Sequence, residues 1–385
     1  MTPSVVAGTS AWRISSDCVE LCTTEIGGHL GPVTFMVRNR RIQPFAIAPW
    51  QREILPRETP PILRVLRGDF FCLPFGGNGS PFRGERHPVH GETANERWQF
   101  RDLIVEGPAR TLHLSLDTDE RPGRVDKKLT LINGQTVIYA QDIVSGMRGP
   151  MCFGHHAMLH FPDRPNSGLV STSPFRFGQV LPLPFENPAQ GGYSALKMGS
   201  EFRSLDKVKT ADGSVTDLSR YPARRGFEDL VLVASRPRRF AWNAVVFPQE
   251  RYVYFALRDP AVLASTILWI SNGGRHYAPW NGRHVNILGI QDVTAYFHVG
   301  LAESAGRNHL QQQGIPTFID MNPNRPLEVN YIMGIAPIPA DFDHVADICH
   351  AKAGVIEIRS RSGAAVRTQV DLKFLRSRSA AKSKA

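Results

Sequence analysis

Two groups of histidines have neighbours and spacings that could do chemistry. In the first, His87 and His90 lead into Gly91 and Glu92, with Arg97 and Trp98 close behind; the second holds His155, His156 and His160. Imidazole titrates near neutrality, so a histidine facing a cleft can accept or donate a proton during a reaction. The same residues could instead ligate a metal, since His87, His90, Glu92, His155, His156 and His160 carry enough nitrogen and oxygen donors. The chain has no helical HExxH and no HxH pair, so no metal site is assigned. His155 and His156 are adjacent, and neighbouring strand residues point to opposite faces, so at most one of them can reach a cleft. The default reading of Trp98 and Trp280 is burial in the core, and that of Arg67 and Arg97 is an ion pair at the surface.

These groups must be held by strands. Thr111 to Asp117 alternate polar and apolar side chains, which predicts a half-buried strand. Residues 128–132 and 136–144 flank Asn133-Gly134 and predict a hairpin. Residues 355–360 and 364–375 around Arg361-Ser362-Gly363 predict a closing β element. Short β-branched or aromatic runs at 230–234, 240–247, 251–257 and 287–297 are separated by turn formers. Residues 259–270 and 340–350 are the candidates for short helices, too few for an α/β layer. The segment Phe161-Pro162-Asp163-Arg164-Pro165-Asn166-Ser167-Gly168 reads as a loop, a usual carrier of binding residues. The expected fold is all-β, a large antiparallel sandwich.

Three blocks carry a resemblance. Leu66-Arg67-Gly68-Asp69-Phe70-Phe71-Cys72-Leu73-Pro74-Phe75-Gly76-Gly77, followed by His90-Gly91 and Trp98, resembles the galactose mutarotase (aldose 1-epimerase) superfamily, nearest its hexose-6-phosphate mutarotase-like branch. Phe153-Gly154-His155-His156-Ala157 is similar to that superfamily's second histidine segment. Tyr277-Ala278-Pro279-Trp280, with Gln291-Asp292 further on, resembles its Pro-Trp turn and the late strand that carries a glutamate. The resemblance implies a supersandwich fold and interconversion of sugar anomers by acid–base ring opening. It implies His156 or His155 as the acid and His90 as a residue orienting the sugar. Arg67 or Arg97 would grip a hydroxyl or anionic group, and Trp98 or Trp280 would offer a face to the sugar ring. The chain departs at the base: Gln291 stands where relatives carry glutamate, and an amide is no proton acceptor at neutral pH. Asp292 could replace it only if the strand slips or bulges. Asp69 replaces a glycine of the phosphate-associated branch, which points to a neutral or differently charged sugar. Two other readings stay open: a carbohydrate-binding protein without the reaction, and a metal-dependent sugar isomerase or lyase.

Composition bounds these readings. With 42% hydrophobic residues in 385, the chain can bury a large core, expected as one domain over residues 1–375. The net charge of +10 invites a nucleic-acid reading, but Lys373, Arg376, Arg378, Lys382 and Lys384 concentrate much of it near a Ser/Ala-rich end. Residues 376–385 are expected to form a disordered basic tail, with neither nucleic acid nor membrane as partner. Cys18, Cys22, Cys72, Cys152 and Cys349 form no CxxC pair and are expected as reduced, buried thiols. No apolar run reaches spanning length and no signal-like leader is seen, so a cytoplasmic protein is expected, without a cofactor and with a small sugar as its partner.

Overall fold

The structure is a computed structural model and describes residues 1–376. Two large antiparallel sheets face each other. The first has nine strands in the order Arg220–Tyr221, Gly168–Thr172, Ala241–Phe247, Tyr252–Arg258, Leu327–Pro337, Val137–Ser145, Gly123–Ile132, Ala109–Thr118 and Gln99–Glu106. The second has seven, in the order Glu201–Phe202, Phe175–Val180, Phe227–Ser235, Ser265–Asn272, Ile287–Thr294, Phe153–His160 and Phe71–Cys72.

The central strands are buried on both sides, which explains their near-continuous apolar runs. A smaller sheet of Val345–Lys352, Val355–Ser360 and Ala365–Gln369 covers the outer face of the nine-stranded sheet. Ile348, Ile356 and Ile358 pack there against Trp242, Val253 and Phe255.

The Asn133-Gly134 hairpin forms, joining Gly123–Ile132 to Val137–Ser145. The two helix candidates do not form. Residues 265–272 and 345–352 are strands, because each run has a sheet neighbour to satisfy its backbone. Within 364–375 the strand stops at Gln369 and a short 3-10 turn, Leu372–Leu375, follows. The five-stranded N-terminal sheet, from Ser4–Val6 to Arg40–Ile42, has no counterpart among the sequence expectations. All five cysteines are free thiols, three of them buried and two partly exposed. Among the described residues no helix is long and apolar enough to cross a membrane. Apart from Arg376, the expected tail lies outside the described residues.

Between the two large sheets lies a polar layer rather than a wholly apolar one. The Asp292 carboxylate accepts from Thr266 Oγ1 (2.7 Å), Asn243 Nδ2 (2.8 Å) and Tyr331 Oη (2.8 Å), and pairs with Arg258 at 2.7 Å. Beside it, His155 stacks on Tyr331, and its Nδ1 lies 2.9 Å from Asp69; Asp142 pairs with Lys127 at 2.8 Å. Asp292 and Asp142 each have a cationic partner and Asp69 has a histidine, so each carboxylate is met by a basic side chain, the condition under which buried charges are tolerated. Removing one partner strands the other in low dielectric. Asp292→Ala, which leaves Arg258 unpaired, should therefore cost about 3–5 kcal/mol in urea unfolding; a loss below about 1 kcal/mol would contradict this account.

Candidate active site

Strand alternation places the histidine pair. His155 sits opposite Asp292 and His156 opposite Gln291 in adjacent strands. His155 and Asp292 face the polar layer, while His156 and Gln291 face the other side of the seven-stranded sheet. There they line a cleft of about 230 Å³. That is below the ~300–1,000 Å³ typical for drug-sized ligands, so the cleft suits a small molecule.

Trp269 continues this floor, opposite Gly289. A Cβ at Gly289 would lie 2.9 Å from Gln291 Nε2 and 3.1 Å from the Trp269 Cβ, so the missing side chain makes room for both. Phe70 is sandwiched between His156 (4.5 Å between ring centroids) and His29 (3.9 Å), which fixes the His156 ring plane.

The walls come from loops. His90 lies in the turn before Gly91, and its Nδ1 accepts the Gly76 N–H at 3.3 Å. That leaves Nε2 as the protonated nitrogen of the neutral ring. Gly76 itself has φ +113°, and a Cβ there would come within 2.7 Å of the His298 carbonyl. The close approach lets Gly77 N–H donate to His298 O at 2.7 Å, which draws His298 to the cleft beside His90. Arg275 enters from the turn after Ser265–Asn272; its Nε donates to Glu186 at 2.6 Å, and its guanidinium lies over Trp280 at 4.6 Å. Behind the cleft, Glu228 accepts from Trp269 Nε1 (3.0 Å), Ser271 Oγ (3.0 Å) and Gly274 N–H (3.2 Å).

On the floor, the Gln291 amide nitrogen lies 3.0 Å from His156 Nε2. With the amide donating, that Nε2 is an unprotonated acceptor. His90 and His156 meet edge to face at 4.8 Å between centroids. The cleft thus holds an imidazole N–H donor beside an imidazole acceptor, and among the described residues no Asp or Glu lines it.

Burial governs the electrostatics. Desolvation pushes His156 down to about 4, and His298 and His284 down to about 3, with the Arg275 charge adding to it; His90 and His29 are also held well below the ordinary range by burial. Glu228 is pushed up to about 7, again by burial, with Arg275 opposing.

Of the residues expected at the site, His90, His156, Gln291 and Trp280 converge on this cleft. The others lie elsewhere. Asp292 and His155 face the layer between the sheets, because the strand neither slips nor bulges at 291–292. Asp69 is there too, bonded to His155 rather than near a ligand. Arg67 is fully buried and donates to the carbonyls of Val6 (3.1 Å), Ala7 (3.1 Å) and Val65 (3.2 Å), tying down the N-terminal sheet. Arg97 is an exposed partner of Glu25, and Trp98 is buried with its Nε1 donating to Thr93 O at 3.0 Å. The 161–168 loop contributes nothing to the cleft lining.

The metal-ligand candidates also part company. His87 bonds Glu85 at 2.9 Å and Glu92 accepts two backbone N–H groups, from Asp119 and Glu120. Among the described residues no group of three or more His, Cys, Asp or Glu is placed to share an ion. Sequence reasoning missed Trp269, Arg275 and His298. His298 follows directly on the recognised 287–297 run, whereas Arg275 follows Gly273-Gly274 after a segment whose first part, 259–270, reads as a helix candidate, so only His298 stood just beyond a recognised strand end.

No family model and no curated protein matches this sequence. Solved structures do. A galactose mutarotase-like protein from Clostridium acetobutylicum superposes with a TM-score of 0.57 at 10% identity, over 87% of this chain and 98% of that one. A galactose mutarotase related enzyme from Lactobacillus acidophilus gives 0.54 at 11% identity, over 85% and 97%. A Synechocystis sp. PCC 6803 protein gives 0.56 at 11% identity, over 88% and 98%. At these identities the likeness is one of fold: the chain has the galactose mutarotase-like β-sandwich.

The neutral histidines imply a pH dependence of stability. Unfolded imidazoles bind protons below about 6.5, whereas the folded His156 waits until about 4 and His298 until about 3. Between these values the unfolded chain holds more protons, so stability falls as pH drops. Glu228 and Asp229, raised to about 7 and about 6, oppose this over part of the window, but they are two groups against the five named histidines. Urea midpoints should decrease from pH 6.5 towards pH 4, and less steeply in His298→Gln; an identical slope in that variant would count against the assignment.

Proposed function

We propose that the protein binds an aldose in this cleft and interconverts its anomers by ring opening. Ring opening needs one group to take the proton from the anomeric hydroxyl and another to give one to the ring oxygen; the aldehyde then recloses on either face. The observation that carries the reading is the donor–acceptor pair of His90 and His156 within a cleft walled by Trp269 and Trp280. His90, tautomer-fixed by Gly76, supplies the proton, and His156 Nε2 receives one once the Gln291 amide turns its N–H away and presents its oxygen to the new imidazolium; both protons return to their rings as the sugar recloses. This differs from the sequence expectation, in which His156 or His155 was the acid, His90 oriented the sugar and a carboxylate was the base. Arg275 and His298 orient hydroxyls, and the indoles pack against the sugar's C–H groups.

A second reading has one specific observation in its favour. Gln291 holds an amide beside His156, and among the described residues no carboxylate lines the cleft, as would suit a sugar-binding protein without the reaction. Exchange between α and β anomers, followed by NMR over a panel of aldoses, separates the two. Wild-type acceleration should fall by about 10²–10⁴-fold in His90→Ala and in His156→Ala, with circular dichroism unchanged. The rate should stay level from neutral pH and decline only towards about 4, where His156 protonates. Full acceleration in both variants would refute the proposed roles, whereas sugar binding by wild type without any acceleration would favour the second reading.

A further inference from the structure

A second concavity of about 350 Å³, lined by none of the cleft residues, opens where the strand Gly168–Thr172 meets residues 203–206 and the C-terminal sheet. Its lining includes Arg203, Arg236 and Arg361 against a single carboxylate, Asp206. Elsewhere on the surface, Arg97, Arg225 and Arg283 each pair with a carboxylate. Among the described residues these three do not. Arg236 Nε donates to the Phe175 carbonyl at 3.3 Å and Arg203 donates to the Arg176 carbonyl, whereas the Arg361 guanidinium, whose charge is felt by Asp206, donates no hydrogen bond among the described residues. Asp206 already accepts from the Ser204 hydroxyl.

Three like charges around one hollow repel each other, and their planar N–H forks suit the oxygens of an anion. Hydroxyls complete the lining. Ser171 is 5% exposed and its Oγ has no hydrogen-bond partner, and Ser173 and Ser219 lie alongside. The Arg361 backbone is pinned by its N–H to His344 O at 2.8 Å, so this arginine is anchored at the rim of the hollow.

We propose that this concavity is a binding site for a small molecule carrying a phosphate or diphosphate group. A hollow rather than a flat basic face favours a compact ligand over an extended polyanion. The site stands independently of the sugar cleft and of the reaction proposed there.

The test is calorimetric titration of inorganic pyrophosphate into the full chain at low ionic strength, with thermal melting alongside. Saturable one-to-one binding and a raised melting temperature are expected. Arg361→Gln and Arg203→Gln should each weaken binding roughly tenfold, given the strength of charge-assisted hydrogen bonds, and the triple variant with Arg236→Gln should abolish it. His156→Ala should bind pyrophosphate as wild type does. Unaltered melting of the ligand-free variants checks that they fold. Absence of binding to wild type, or its survival in the triple variant, would overturn the proposal. So would binding of single-stranded RNA without any binding of pyrophosphate, which would mark an extended polyanion surface instead.

Discussion

Two adjacent residue pairs, His155-His156 and Asp292-Gln291, lie across from each other in neighbouring strands, and their alternation divides the molecule's polar chemistry in two. One member of each pair enters a charge-balanced layer between the sheets, and the other faces the open cleft. A shift of register by one residue would exchange the faces, bringing Asp292 to the ligand and the amide to Arg258. The buried layer forbids this. Arg258, Thr266, Asn243 and Tyr331 converge on one carboxylate, and an amide in its place would leave the guanidinium without an anion.

The cleft inherits its order from that layer. His156 and Gln291 cannot slide because their neighbours are bonded behind them, and Phe70 stacks on the His156 ring. The loop groups are held differently, through backbone contacts between Gly76, Gly77 and the His298 segment and through the Arg275–Glu186 pair. Burial then keeps the imidazoles neutral, which is the state in which one ring can present a donor and the other an acceptor.

Much of this was legible in the sequence, for reasons particular residues make plain. The Asn133-Gly134 hairpin and the β-branched runs announced an all-β fold because local turn chemistry and period-2 patterning are carried by the residues themselves. Residues 265–272 misled: Ser-Thr-Ile-Leu-Trp-Ile-Ser-Asn is a central strand buried on both faces, so no alternation of exposed and buried positions marks its period. His90 and His156 could be read from motif resemblance. Asp292 could not be sorted from Gln291 without the register, which depends on partners distant in sequence. Arg67 looked like a ligand-gripping residue, and only the fold reveals that backbone carbonyls of the N-terminal segment saturate it. Arg275 and His298 had no local signal, since each is brought in by a loop whose path depends on tertiary contacts.

The separation of the two faces has an evolutionary corollary at position 291. Glutamine and glutamate codons differ by a single base, and the side chain there contacts the cleft rather than the charge-balanced interior. The ionic character of the cleft floor can therefore drift in a lineage without endangering the scaffold, whereas the neighbouring position 292 is locked by four partners at once. Divergence of substrate or reaction within such a sandwich would accumulate on every second residue of the same strand.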